Sequence, residues 1–218
     1  MLPFKHKISV AIAVIAWGSV SATNWVARAE TGTPPATTQA AKGNTVYIVD
    51  ATGTMTGIKF ELLKDYLAER LDALSAEQTF GIVVFSENNG RFVSSFNGKD
   101  LLPATKENVK RGATFVANRT PMGGTNPIPA IKAAFAMSSP PDEIVMLSDG
   151  EFDGEATHDQ VAKAFREANT RMKTRVTTVM FGDRDPKAEA AMKEIAAKNG
   201  GEFEKVSLDS LLFKKQQK

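Results

Sequence analysis

The chain is predicted to fold as a doubly wound α/β sandwich of three layers, with a mostly parallel central sheet, one antiparallel edge strand and helices on both faces. Three observations predict it. Short apolar, β-branched runs at residues 46–49, 144–147 and 176–181 are separated by stretches of helical period, the pattern of parallel strands joined by crossovers. Two of these runs end abruptly on a carboxylate, Asp50 and Asp149, and in such sheets the strand carboxyl ends gather where ligands bind. Asn88-Asn89-Gly90 is a hairpin signal and supplies the antiparallel neighbour.

The globular part begins near Asn44, and its first strand runs to Asp50. Ile58, Leu62, Leu63, Tyr66, Leu67, Leu71 and Leu74 recur at helical spacing among Lys59, Glu61, Lys64, Asp65, Glu69 and Arg70, which predicts an amphipathic helix packed on the sheet. Residues 79–85 are the second strand and 91–96 the third, antiparallel to it across the hairpin. Residues 101–119 read as mainly helical, with Val109, Phe115 and Val116 buried and Lys106, Lys110 and Arg111 on a solvated face. An Ala-rich helix over 127–137 is stopped by Pro140-Pro141. The strand ending at Asp149 follows, then a helix over 158–172 and a strand over 176–181. A helix over 185–198 ends at Gly200-Gly201, and 202–206 is the last strand. Leu211, Leu212 and Phe213 are compatible with a final helix within 207–218. Met172, Met180 and Met192 fall in these patterns as core residues, not as a copper site.

Residues 1–29 have the layout of a secretory signal: Lys5, His6 and Lys7, an apolar run over about 8–20, then Ala27-Arg28-Ala29. Extending the apolar run through Val26 makes an uncleaved anchor the alternative. Export follows from either, to the periplasm or the exterior, with membrane attachment only for the anchor. Residues 30–43 hold no large apolar side chain and read as a flexible linker, leaving 44–218 as the domain.

The net charge of +2 owes its sign to this leader, whose Lys5, Lys7 and Arg28 have no acidic counterpart. Without them 24 basic residues face 25 acidic ones, so no basic excess points to nucleic acid. The absence of cysteine excludes disulfides and thiolate zinc sites, and His158 alone beyond the leader excludes a multi-histidine centre.

The chemistry concentrates at residues 50–54, Asp-Ala-Thr-Gly-Thr. Asp50 leaves the sheet and Thr52 and Thr54 follow at i+2 and i+4, a spacing that turns three oxygen side chains toward one point, as a hard cation requires. Thr125, in the Gly-rich loop Pro121-Met122-Gly123-Gly124-Thr125-Asn126-Pro127, offers a further hydroxyl, and Asp149 a second carboxylate. The bland alternative is helix capping by Thr54 or Thr56.

With these three segments together, the chain resembles the von Willebrand factor type A domain family and its metal-ion-dependent adhesion site. The family pattern is Asp-x-Ser-x-Ser, a Thr after Gly-Gly, and an Asp before Gly. Asp50, Thr52, Thr54, Thr125 and Asp149 fill it, with threonines in place of both serines. The likeness covers about residues 43–207 and implies a Rossmann-like fold. It also implies a bound Mg²⁺, or Mn²⁺ or Ca²⁺, with a coordination position left for a Glu or Asp of a protein partner. The surrounding contact surface is expected to include Glu87, Arg91, Arg119, Met122, Asn126, Glu151 and Phe152, in loops at the same end.

A competing resemblance is to the haloacid dehalogenase-like phosphotransferases, through Asp50-Ala51-Thr52-Gly53-Thr54. It implies Asp50 as nucleophile, Asp149 and Asp153 on Mg²⁺, Ser86 or Thr125 on phosphate, and Lys106 or Lys110 as counter-charge. Thr52 stands where the soluble hydrolases carry a proton-transferring acid, no lysine clearly sits beside a site loop, and the Gly-Gly-Thr loop is left without a role. The expectation is therefore a metal-dependent binding module and not an enzyme.

Overall fold

β1 (Asn44–Asp50) lies in the middle of the sheet because both of its faces are apolar. Val46 and Ile48 enter one layer, Tyr47 and Val49 the other, and all four are buried. The computed structural model describes residues 43–88, 91–152, 156–182 and 185–207, and of positions 87, 88, 91 and 92 the backbone only. The predicted leader, the linker up to Lys42 and the C-terminal helix lie outside the described residues.

Two parallel neighbours flank β1. β2 (Thr79–Asn88) runs beside it from the Asn44–Thr79 pair to Asp50–Phe85, and β5 (Glu143–Ser148) from Thr45–Glu143 to Val49–Leu147. β6 (Arg175–Phe181) and β7 (Phe203–Val206) extend the sheet in parallel beyond β5. The opposite edge is antiparallel, in two pieces: β3 (Arg91–Ser95) pairs with the second half of β2, and β4 (Leu102–Pro103) with its start. Among the described residues the strand order is β3-β2-β1-β5-β6-β7. β1 and β5, which end at Asp50 and just before Asp149, are therefore adjacent.

Helices cover both faces. α1 (Ile58–Asp72) and α2 (Lys106–Ala117) lay Leu63, Leu67, Leu71, Val109 and Val116 on Tyr47, Val49, Phe80 and Val84. α3 (Ile128–Phe135), α4 (His158–Ala168) and α5 (Pro186–Lys198) lay Ile131, Phe165, Met192 and Ile195 on Val46, Ile48, Phe85 and Met146. Each such side chain, removed from water, contributes about 1.5–3 kcal/mol. Among the described residues no helix is long and apolar enough to cross a membrane.

Five local expectations are corrected. Ile58 does not join the apolar face of α1: it is 46% exposed at the first residue of the helix, and Phe60 is buried instead. The stretch predicted as helix from 101 is first strand, because Leu102 and Pro103 pair with β2; Thr105 then starts α2 by accepting a hydrogen bond from the Asn108 amide. Phe115 on α2 is half-buried, with the Arg119 guanidinium over its ring and the Phe96 ring tilted against it. α4 stops at Ala168, because Asn169 turns its side chain to the Thr174 carbonyl and to Asn199. Met172 therefore sits in an exposed turn at φ 48°, outside the core, whereas Met180 and Met192 are buried.

α4 begins with a reciprocal cap: Thr157 Oγ1 accepts from the Gln160 amide at 3.2 Å and Gln160 Oε1 accepts from the Thr157 amide at 2.8 Å. Thr157→Ala is expected to lower unfolding free energy by about 1 kcal/mol in urea titration. An unchanged midpoint would mean that the box contributes nothing in solution.

Candidate metal centre

The loop after β1 is held by backbone hydrogen bonds before any side chain acts. The Ala51 amide donates to the Phe85 carbonyl at 2.9 Å, the Gly53 amide to the Gly123 carbonyl at 3.1 Å and the Met122 amide to the Ala51 carbonyl at 3.0 Å. The loops carrying Thr52 and Thr125 are thereby stitched together. Gly53 permits this approach, since a Cβ there would stand 3.3 Å from the Gly123 oxygen. Asp149 follows the last residue of β5, and Gly150 turns the chain at φ 75° against Ala188 and Met192, where a side chain would be both strained and crowded.

The five predicted residues meet. Thr52 Oγ1 donates to Asp50 Oδ1 at 2.7 Å and accepts from Thr125 Oγ1 at 3.3 Å; it lies 3.2 Å from Thr54 Oγ1, which reaches Asp149 Oδ1 at 3.4 Å. Asp50, Thr52, Thr125 and Asp149 are buried, and Thr54 is half-buried at the mouth. Neither Thr54 nor Thr56 caps α1, whose N-cap is Gly57 without a side-chain cap bond, so the capping alternative does not hold; Thr56 bonds the Gly53 carbonyl in a local turn.

Proton counting exposes a deficit. Four oxygen–oxygen contacts join these five side chains, and three hydroxyls supply three protons, so with both carboxyls ionised one contact sets lone pair against lone pair. A protonated carboxyl or a cation among the oxygens removes the deficit. The donor set is all oxygen, the chemistry of a hard divalent ion. Among the described residues no group of three or more His, Cys, Asp or Glu has metal-holding geometry, so hydroxyls are needed to complete such a set.

Burial pushes the Asp50 carboxyl up to about 7, and the neighbouring charge of Asp149 adds to this against hydrogen bonds from Ser148 and Thr52. Burial also raises Asp149, opposed chiefly by Lys59. Lys59 Nζ lies 2.7 Å from Asp149 Oδ2 and 2.9 Å from Glu151 Oε1; burial works to lower its pKa, but the two carboxylates prevail and hold it raised. A divalent ion among these oxygens would lower both carboxyls by direct attraction.

Two residues of this site were not legible beforehand. Ser148 Oγ donates to Asp50 Oδ2 at 2.6 Å and accepts from the Gly150 amide at 3.0 Å, so it orients the Asp50 carboxylate from the end of β5. Lys59 corrects the expectation that no lysine sits beside a site loop. Lys106 and Lys110 are exposed on α2. Among the expected contact residues, Phe152 is corrected: it is 2% exposed, packed in the core with its ring edge-on to His158. Met122 is exposed, while Arg119, Asn126 and Glu151 are half-buried; Asn126 accepts from the Ile128 amide at the start of α3. The side chains of Glu87 and Arg91, and all of Asp153, lie outside the described residues.

The family model for the von Willebrand factor type A domain matches residues 44–215. The chain belongs to this family. A von Willebrand factor type A protein from Catenulispora acidiphila superposes with a TM-score of 0.61 at 18% identity, over 75% of this chain and 38% of the other. The manganese-loaded TRAP protein of Plasmodium vivax gives 0.56 at 11% identity, over 77% and 69%. In sequence, human inter-alpha-trypsin inhibitor heavy chain H4 is 29% identical over 179 residues, 77% of this chain and 18% of the relative. The von Willebrand type A chain thus spans less than a fifth of that relative's length. The family's three-layer α/β architecture is the one described above.

Proposed function

We propose that the chain is an exported, metal-dependent protein-binding module and not an enzyme. In this reading Asp50, Thr52, Thr54, Thr125 and Asp149 hold one Mg²⁺, or Mn²⁺ or Ca²⁺, and a partner's Glu or Asp completes the coordination. The observation that carries it is the proton-deficient oxygen network, in which five side chains from three loops converge with one contact lacking a proton. Family membership and a manganese-loaded structural neighbour support it. The bound ion would supply an electrophilic position for an anionic oxygen, because hydroxyls donate little charge to it.

The chain's own residues prepare that position. Ser148 and the Thr52 amide fix the Asp50 carboxylate, the Glu151 amide fixes Asp149 Oδ1, and the Gly53–Gly123 bond keeps Thr52 and Thr125 in register. Met122 in the Gly-rich loop and Ile58 at the first residue of α1 are exposed apolar side chains, which suits a partner carboxylate flanked by apolar groups. The phosphotransferase reading has Lys59 in its favour and burial against it. Asp50 is 0% exposed and both of its oxygens accept hydrogen bonds, leaving no line of attack on phosphorus.

The test uses Mn²⁺ as a probe, through water proton relaxation of the loaded protein. Peptides bearing a Glu or Asp between apolar residues are expected to displace metal-bound water and lower the relaxation enhancement, whereas their Gln or Asn counterparts leave it unchanged. Equal behaviour of both sets would refute carboxylate capture.

A further inference from the structure

We propose that the ammonium of Lys59 is a tethered competitor of the divalent ion, a monovalent cation that must leave Asp149 when the site loads and that moves onto Glu151 at the rim. The inference deepens the metal-site reading and rests on it. Lys59 stands in the first turn of α1 and reaches across to the loop after β5, 2.7 Å from Asp149 Oδ2 and 2.9 Å from Glu151 Oε1, with its side chain only 20% exposed. The far end of its stem passes beside Gly182, where a Cβ would stand 3.5 Å from Lys59 Cε and 4.0 Å from Cδ.

The alternative role, holding Asp149 in position for the ion, is already filled. The Glu151 amide donates to Asp149 Oδ1 at 3.1 Å, and that same oxygen faces Thr54, so the productive oxygen is oriented without Lys59. The lysine neutralises the outer oxygen, Oδ2, and adds positive charge beside the place where a divalent ion would sit. Like charges that close, in a partly buried site, oppose each other strongly. Glu151, with 31% of its side chain exposed, already shares the ammonium and gives it somewhere to go.

The sign of the effect separates competitor from positioner. In calorimetric titration with Mn²⁺, Lys59→Met is expected to bind at least about tenfold more tightly than wild type, and Lys59→Arg, which keeps the charge, to stay within about threefold. Metal-free Lys59→Met should also melt below wild type, because two carboxylates, Asp149 and Glu151, lose their counter-ion, and saturating Mn²⁺ should raise its Tm by more than it raises that of wild type. Lys59→Gln serves as the second charge-removing variant if Lys59→Met does not fold. Equal or weaker binding by both charge-removing variants, with wild type binding normally, overturns the competitor and leaves the metal site standing. No binding by wild type or any variant overturns both.

Discussion

Asp50→Asn is expected to stabilise the metal-free protein above neutral pH while abolishing its response to metal. The carboxyl is wholly buried, and its pKa is raised from 3.8 to about 7, first by burial and then by Asp149. The unfolded chain therefore releases this proton near pH 4 and the folded chain near pH 7, so stability falls as pH rises through that window. Above it the full penalty, on the order of 4 kcal/mol, burdens the metal-free fold. Asparagine carries no charge to bury, its Oδ1 can accept both bonds from Thr52, and the Ser148 hydroxyl can accept from Nδ2. In chelator, urea unfolding of wild type should weaken between pH 5 and pH 8 by a margin that Asp50→Asn lacks. Metal should restore wild type at pH 8 and leave the variant unchanged. A variant less stable than wild type at pH 8 would mean that the network holds the ionised carboxylate without a cation.

Much of this molecule was legible in the sequence because its strands carry their own punctuation. An apolar run that stops on Asp50 locates a strand end, and the Gly-Gly before Thr125 marks a loop able to approach it; both inferences need only local chemistry. Lys59 and Ser148 were not legible for a common reason. Each acts on a carboxylate 90 or 98 residues away, through a contact made by the packing of α1 and by the adjacency of β1 and β5. Lys59 in particular follows an apolar position of α1 in a charged stretch, where an ordinary solvated face is the natural reading. Phe152 erred the other way: it lies between acidic residues four positions beyond the end of β5, yet its ring drops into the core beside His158. Ile58 has the right spacing for the apolar face of α1, but at the first position of the helix its side chain remains exposed.

The partner surface was the least legible part. Periodicity reports which side chains face the sheet and says nothing of those that face a second protein. Of the residues expected there whose side chains are described, only Met122 is exposed, and Asn126 is engaged in starting α3. Glu151, expected as a contact, also holds Lys59, which makes a rim residue part of the electrostatics of the site.

Thr125→Ala tests the account most directly, because Thr125 links the Gly-rich loop to the other two. Its hydroxyl donates to Thr52 at 3.3 Å and it is 3% exposed, so the substitution removes one oxygen and one hydrogen bond from the network without touching a charge. The fold should lose about 1 kcal/mol, as for one ordinary hydrogen bond, and remain folded. Calorimetric titration of wild type and variant with Mg²⁺ and Mn²⁺ is the measurement. The account predicts binding by wild type and at least about a tenfold loss in the folded variant, the cost of an octahedral site missing a ligand. Equal affinity in the two proteins would contradict it, since Thr125 would then be no ligand and the three loops would not converge on one ion.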